Sequence, residues 1–102
     1  MAEEIEGFRE RIDAVDRELV DALRRRVRLV VELWRLKQLR ELPPRDTARE
    51  DEIIARLSVE RSALVSEESL ADFMRLVLWI CREEATRTLT RDTALRFPHT
   101  PN

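Results

Sequence analysis

Apolar residues recur at alternating steps of three and four through the first part of the chain, and no proline interrupts them. This heptad period is typical of a long helix whose apolar stripe packs against another helix. Pro43 and Pro44 end it, because proline lacks the N–H and disfavours helical geometry in the residue before it. The pattern predicts one helix from Glu3 to Leu42. Its apolar stripe, called the seam below, consists of Ile5, Phe8, Ile12, Val15, Leu19, Ala22, Arg26, Leu29, Leu33 and Leu36.

A second, short helix is predicted after the prolines. Asp46 or Thr47 can cap its N-terminus, and Thr47 and Glu50 have the spacing of a capping box. The apolar side chains that follow supply one buried face, and we expect the helix to end near Arg61. These are Ile53, Ile54 and Leu57.

A third helix is predicted to begin after Ser66, a favourable N-cap residue, and to reach about Leu89. The remainder has two prolines and no period, which favours a flexible tail over residues 91–102 and a single helical domain over residues 1–90. The apolar stripe of this helix consists of Leu70, Phe73, Met74, Val77, Leu78, Cys81 and Ala85.

The first helix is too long for a small globular domain. About 38 residues span about 57 Å, whereas a compact domain of about 100 residues has a radius of gyration near 13 Å. Two shorter helices cover only part of its stripe, so the same helix of a second chain is the most economical partner. The expected fold is all-α, with three helices per chain in an intertwined homodimer.

The amino-acid composition argues against several classes of binding partner. The 19 basic and 21 acidic residues nearly cancel and alternate along the chain, which argues against a nucleic-acid or membrane partner. The N-terminus is acidic and no apolar stretch approaches about 20 residues, so we expect a cytoplasmic location. Cys81 is the only cysteine and His99 the only histidine, so we expect no disulfide within the chain and no metal.

Arg26 is the one charged residue of the seam. An unpaired cation in an apolar stripe is costly, so something anionic should meet it. A structural ion pair with a glutamate such as Glu32, or an extended side chain that reaches water, explains it without any ligand. A bound anion is the other explanation.

Arg9 and Lys37 flank the seam at the same heptad position, about 42 Å apart along one helix. Within one chain, these two side chains are therefore too far apart to contact the same small ligand. If two such helices cross antiparallel, Arg9 of one chain approaches the half of the other that carries Arg26 and Lys37. Both residues are otherwise solvent-exposed charges at the edge of the seam.

The start of the second helix combines charged side chains with free backbone N–H groups, which favour anions. Arg49 adds a bidentate donor there. Asp46 and Glu50 are also explained as capping residues and Arg49 as a surface charge, and the two interpretations can coexist.

The chain resembles the all-helical class of chorismate mutases, whose first helix carries an arginine, an aspartate, a second arginine and a lysine at fixed spacing. The segments FRERIDAVDRELVDALRRRVRLVVELWRLKQ and PPRDTAREDEII carry the resemblance, which extends over about residues 5–89. The four first-helix positions are Arg9, Asp16, Arg26 and Lys37.

The resemblance implies rearrangement of chorismate to prephenate, a unimolecular reaction that requires no nucleophile, metal or redox cofactor. Arg26, and Arg9 from the second chain, would bind the two substrate carboxylates. Lys37 would donate to the ether oxygen, which gains negative charge in the transition state. Glu50 and the backbone of Asp46 would bind the ring hydroxyl, and Arg49 would organise the carboxylate end.

Two positions on the third helix depart from the family pattern. Cys81 stands where a serine is usual, and Ala85 where a glutamine would be a second donor to the ether oxygen. A one-residue shift in the preceding loop would instead place Glu84 there, as a protonated carboxyl donor. With Ala85 at this position, restoring a glutamine is expected to raise the rate.

The missing glutamine leaves other functions open. The chain could act on another chorismate-like dicarboxylate, as an isochorismate pyruvate lyase or an aminodeoxychorismate mutase does. It could be a weakly active regulatory subunit that another shikimate-pathway enzyme completes, with the tail as a docking segment. A helical dimerisation module without any ligand is the plainest alternative.

Overall fold

A computed structural model describes residues 1–59 and 64–96 of the chain, which form three helices: α1 (Ala2–Leu39), α2 (Thr47–Ser58) and α3 (Glu67–Arg96). No strand occurs among these residues, so the all-α class is confirmed. None of the described helices combines the length and the apolarity that crossing a bilayer requires.

α1 ends at Leu39, earlier than predicted, because the chain turns before it reaches the prolines. The N–H of Leu42 donates to the carbonyl of Lys37 at 2.8 Å, and the N–H of Glu41 donates to that of Gln38 at 3.1 Å. Glu41 itself adopts a left-handed backbone conformation, with φ of 56°. This is a Schellman termination with a glutamate where glycine is usual. It directs the following loop back along α1.

α2 begins where the sequence predicts, and of the two candidate caps Asp46 is the N-cap. Thr47 is the first helical residue, so the expected Thr47–Glu50 capping box is wrong. The Asp46 carboxylate accepts from the backbone N–H of Arg49 at 3.0 Å. The helix ends at Ser58, and the expected end near Arg61 lies outside the described residues.

α3 begins at the predicted cap, since the hydroxyl of Ser66 accepts from the N–H of Ser69 at 3.1 Å. The predicted end near Leu89 is too early, because the helix continues to Arg96. Between Ser66 and Pro98 there is no proline to end the helix. Leu89 is buried, and Asp92 pairs with Arg35 of α1. Residues 91–96 of the predicted tail are thus helical, and residues 97–102 lie outside the described residues.

α3 packs against both other helices and carries most of the core. Around Cys81, which is 1% exposed, the core contains Ile53 of α2 and three further side chains of α3. A second cluster joins Val31 of α1 to Ala85 and Leu89. The further α3 residues are Met74, Val77 and Leu78.

The face of α1 that contacts α3 differs from the seam. Most seam residues are exposed. The α1 side chains that pack in the core are instead Leu23, Val27, Val30, Val31 and Trp34. A single chain therefore leaves a long apolar stripe in contact with water, and its radius of gyration of 18.7 Å exceeds the ~13 Å of a compact domain of this size. The exposed large seam residues are Ile5, Phe8, Ile12, Val15, Leu19, Leu29, Leu33 and Leu36.

Candidate active site

A groove lies where the C-terminal half of α1, the loop after it, the first half of α2 and the middle of α3 meet. It borders the seam, because Arg26 and Leu33 belong to both. A second chain packed on the seam would therefore lie beside the groove. The groove is lined by Arg26, Val30, Leu33, Trp34, Lys37, Pro44, Arg45, Asp46, Arg49, Glu50, Ile53, Leu78, Cys81 and Arg82.

The groove has the opposite charge to the chain as a whole. Five of its lining residues are cationic and two are carboxylates, while the full chain has a formal net charge of −2. Apolar walls lower the local dielectric constant and strengthen the field of these cations. The groove is thus suited to a small ligand with more than one negative charge.

Arg26 is held in the groove without being neutralised. Its Nη1 donates to Sγ of Cys81 at 3.1 Å, and its side chain is half-buried. In the described part of the chain no carboxylate pairs with it. Glu32, the structural partner considered from the sequence, lines a different groove on the other side of α1. A sulfur atom is a weak acceptor, so most of the hydrogen-bonding capacity of Arg26 is left for another partner.

Lys37 is positioned by the turn that ends α1. Its Nζ donates to the carbonyl oxygen of Pro44 at 3.0 Å, and among residues 1–59 and 64–96 it too has no carboxylate partner. An ammonium group has three N–H donors, so two are left for a ligand. Arg26 and Lys37 are eleven residues apart on α1, about 16 Å along the axis, and both line the same groove.

The first turn of α2 brings Asp46, Arg49 and Glu50 to the groove. Arg49 pairs with Glu52 of its own helix, which does not line the groove. Desolvation acts to raise the pKa of Glu52, but the hydrogen bond from Arg56 and the charge of Arg49 outweigh it, so that pKa lies below its usual value. Glu52 therefore stays ionised and holds Arg49.

Glu50 is contacted by an arginine on each of its two carboxylate oxygens. Nε and Nη2 of Arg45 lie 3.3 and 3.2 Å from Oε1, and Nη1 of Arg82 lies 3.0 Å from Oε2. The side chain of Glu50 is 16% exposed. These contacts fix a carboxylate as a hydrogen-bond acceptor in a mainly cationic groove.

Two cationic groove residues, Arg45 and Arg82, were not singled out from the sequence, and Arg82 is the one on α3. It interrupts the apolar stripe of α3 four residues after Leu78, and residues at that spacing share a helix face. That spacing was the available signal. A charged residue at the edge of an apolar stripe is so often a solvated surface residue that the sequence alone could not single it out.

The three candidate positions on α3 have different surroundings. Cys81 lines the groove, but Ala85 does not; it is 0% exposed and packs against Val31 and Leu89. Glu84 lies on another side of α3, where it lines the second groove and pairs with Arg87 at 2.7 Å. Ala85 and Glu84 are the two positions that could correspond to the family glutamine. Neither places a hydrogen-bond donor in the candidate site.

Arg9 does not reach the groove of its own chain. It precedes Arg26 by about 26 Å along α1, its side chain is 70% exposed, and its partner is Glu6 at 3.7 Å. An exposed pair of this kind contributes little to stability. Asp16 is likewise exposed. No group of three His, Cys, Asp or Glu side chains suited to a metal ion occurs in the described ranges.

Fold and groove together define a class: a small all-helical protein with a groove lined mainly by cationic side chains. The sequence model of the chorismate mutase type II family matches residues 8–86 of this chain. The chain therefore belongs to the chorismate mutase type II family. No curated protein and no solved structure is a significant match to it.

Proposed function

We propose that this protein is a chorismate mutase that converts chorismate to prephenate. The observation that carries the proposal is the pair of groove cations, Arg26 and Lys37, that have no carboxylate partner in the described part of the chain. A dianionic ether with a ring hydroxyl complements these two donors and the acceptor Glu50. Family membership supports the choice of this substrate class.

In this proposal the protein acts by selecting and stabilising one conformer of a unimolecular reaction. One carbon–oxygen bond breaks while a carbon–carbon bond forms within the same molecule, so no group leaves and no proton is transferred. Arg26 binds a substrate carboxylate and favours the compact conformer in which the bonding carbons approach. Lys37 donates to the ether oxygen, where negative charge grows, and so stabilises the transition state more than the ground state.

The remaining contacts orient the ring. Glu50 accepts from the ring hydroxyl, the backbone of Asp46 donates to it, and Arg49 organises the carboxylate end. The existing contacts of Glu50 with Arg45 and Arg82 support this role, because they fix the carboxylate before the ligand arrives.

The resemblance assigns the second substrate carboxylate to Arg9 of a second copy, and we propose that this residue contacts it. The exposed seam supports a homodimer, because apolar patches of this length on a soluble monomer are unusual and mark interfaces. The seam borders the groove at Arg26 and Leu33, so a helix packed there lies beside the site. In an antiparallel crossing the N-terminal half of the second α1 brings Arg9 to that place.

Direct assay of chorismate loss, with identification of the product, tests the proposed activity. Prephenate formation is expected, and Arg26→Ala and Lys37→Ala should each lower turnover about 100-fold or more. Arg17→Ala is a matched control, because Arg17 is an exposed arginine of α1 that does not line the groove. The Arg26→Ala and Lys37→Ala proteins should keep the circular dichroism spectrum of the parent. Unchanged turnover in either would remove that residue from the mechanism.

A second candidate follows from Ala85, which leaves the site without the glutamine donor of the family. The protein could act on isochorismate or aminodeoxychorismate, or could depend on another shikimate-pathway enzyme for full activity. Parallel assays with the three substrates, each with and without the candidate partner, separate these cases. Selective turnover of isochorismate, or a large gain in rate with the partner, would replace the main proposal.

A further inference from the structure

α3 contributes one charged side chain to the groove, and it is not at either position expected to hold a donor. Ala85 is buried in the core and Glu84 pairs with Arg87 on another side of the helix. Arg82 lines the groove beside Cys81, and its side chain is 24% exposed. The arginine is therefore largely enclosed yet open to the space in which a ligand would lie.

The hydrogen-bonding capacity of Arg82 is mostly unused. A guanidinium group has five N–H donors and accepts nothing. The contact between its Nη1 and Oε2 of Glu50 is the one ion pair that it makes within the described residues. Further N–H groups are available for a second acceptor without loss of that contact.

Glu50 does not require Arg82 for charge compensation. Arg45 already places two nitrogens within 3.3 Å of the other oxygen of the same carboxylate. Two arginines on one carboxylate leave a net positive charge. Arg45 is 54% exposed and solvated, whereas Arg82 is 24% exposed, so the charge of Arg82 gains most from an anion in the groove. The arrangement is therefore better explained by a third, anionic partner than by a structural ion pair alone.

We propose that Arg82 is a ligand-binding residue that donates from α3 to a carboxylate of the bound dianion. The inference rests on the proposed function, because it assumes that the groove holds such a ligand. It assigns to Arg82 a contact that the resemblance to the family does not predict. Glu50 then has two tasks, as acceptor for the ring hydroxyl and as the group that orients Arg82.

Steady-state kinetics of Arg82→Gln with chorismate, and calorimetric titration of the same variant with prephenate, test this role. Loss of a charge-assisted contact to a carboxylate is expected to raise KM and weaken prephenate binding by about 10- to 100-fold. The change in kcat should be smaller, since a carboxylate is bound in both ground and transition states. Arg82→Lys should fall between the parent and Arg82→Gln, because lysine keeps the charge but loses the planar fork.

Arg75→Gln is the matched control. Arg75 lies on the same helix, pairs with Asp72 at 3.0 Å and does not line the groove, so this variant should keep the KM of the parent. An Arg82→Gln variant that matches Arg75→Gln would overturn the inference while the proposed function stands. A parent protein that neither binds prephenate nor consumes chorismate would instead remove the proposed function.

A double-mutant cycle separates direct binding from an effect through Glu50. If Arg82 touches the ligand, Arg82→Gln must still weaken prephenate binding in a Glu50→Gln background. Loss of the effect in that background would show that Arg82 acts only by holding Glu50, and would overturn the inference. If Arg82→Gln does not fold, Arg82→Lys carries the test, and a KM for it equal to that of the parent would overturn the inference.

Discussion

Individual residues in this protein hold cationic side chains in place through neutral acceptors. Cys81 accepts a hydrogen bond from Arg26, and the Pro44 carbonyl accepts one from Lys37. A neutral acceptor orients a cation while leaving its charge to attract an anion, whereas a carboxylate would cancel it. The sequence indicated Arg26 and Lys37 as candidates, but it could not show what holds them, because both acceptors come from distant or irregular parts of the chain.

Ala85 illustrates how packing changes an expectation drawn from sequence. Alignment alone favours Ala85→Gln as a gain of a donor. In the structure Ala85 is 0% exposed and packs against Val31 and Leu89. A buried glutamine there would crowd the core and lack partners, so we now expect destabilisation of about 1–3 kcal/mol and no gain in rate.

Urea unfolding and turnover of Ala85→Gln check this expectation. Glu84→Gln is the control, because Glu84 is one residue away and partly exposed. It should leave the free energy of unfolding nearly unchanged. Faster turnover of Ala85→Gln at unaltered stability would show that the glutamine reaches the groove and that the packing described above is incorrect.

At the level of helices, the sequence was most informative about where α2 and α3 begin, and less so about where α1 and α3 end. Asp46 and Ser66 cap α2 and α3 as predicted, because capping depends on residues within one turn. The face of α1 that meets α3 was not predicted. The C-terminal half of α1 is apolar on several sides, and periodicity cannot tell which stripe packs within the chain and which awaits a partner.

The end of α1 provides a prediction about stability. Glu41 occupies the left-handed position of the Schellman turn, where a side chain with a Cβ is strained. Glu41→Gly should therefore stabilise the fold by about 0.5–1 kcal/mol, the strain relieved being partly offset by greater freedom of the unfolded chain.

Denaturant unfolding of Glu41→Gly and Glu41→Ala distinguishes strain from charge. Alanine keeps the Cβ, so it should not reproduce the gain. Equal stabilisation by both substitutions would mean that removal of the glutamate charge, and not of backbone strain, is responsible.

At the scale of the whole molecule, a single chain is elongated, with extents of 68 × 32 × 20 Å, and leaves the seam exposed. If the seam is the dimer interface, a charge placed in it should separate the chains. We expect Leu19→Glu to shift the protein toward monomer at micromolar concentration and to lower its thermal unfolding temperature.

Sedimentation velocity over a range of concentrations measures this shift. Arg17→Glu introduces the same residue two positions away at a heptad position opposite the seam, and it should sediment as the parent does. A Leu19→Glu protein with the same assembly state as the parent would exclude the seam as the interface.

Complementation between two inactive variants most directly tests whether each site takes cations from two chains. Arg9→Ala and Arg26→Ala chains, refolded together, form mixed dimers in which one site has both arginines and the other has neither. Since about half of the dimers are mixed and each has one intact site, about a quarter of the parent activity should return. With mixed dimers verified by mass spectrometry, activity no greater than that of the two variants alone would contradict a shared site.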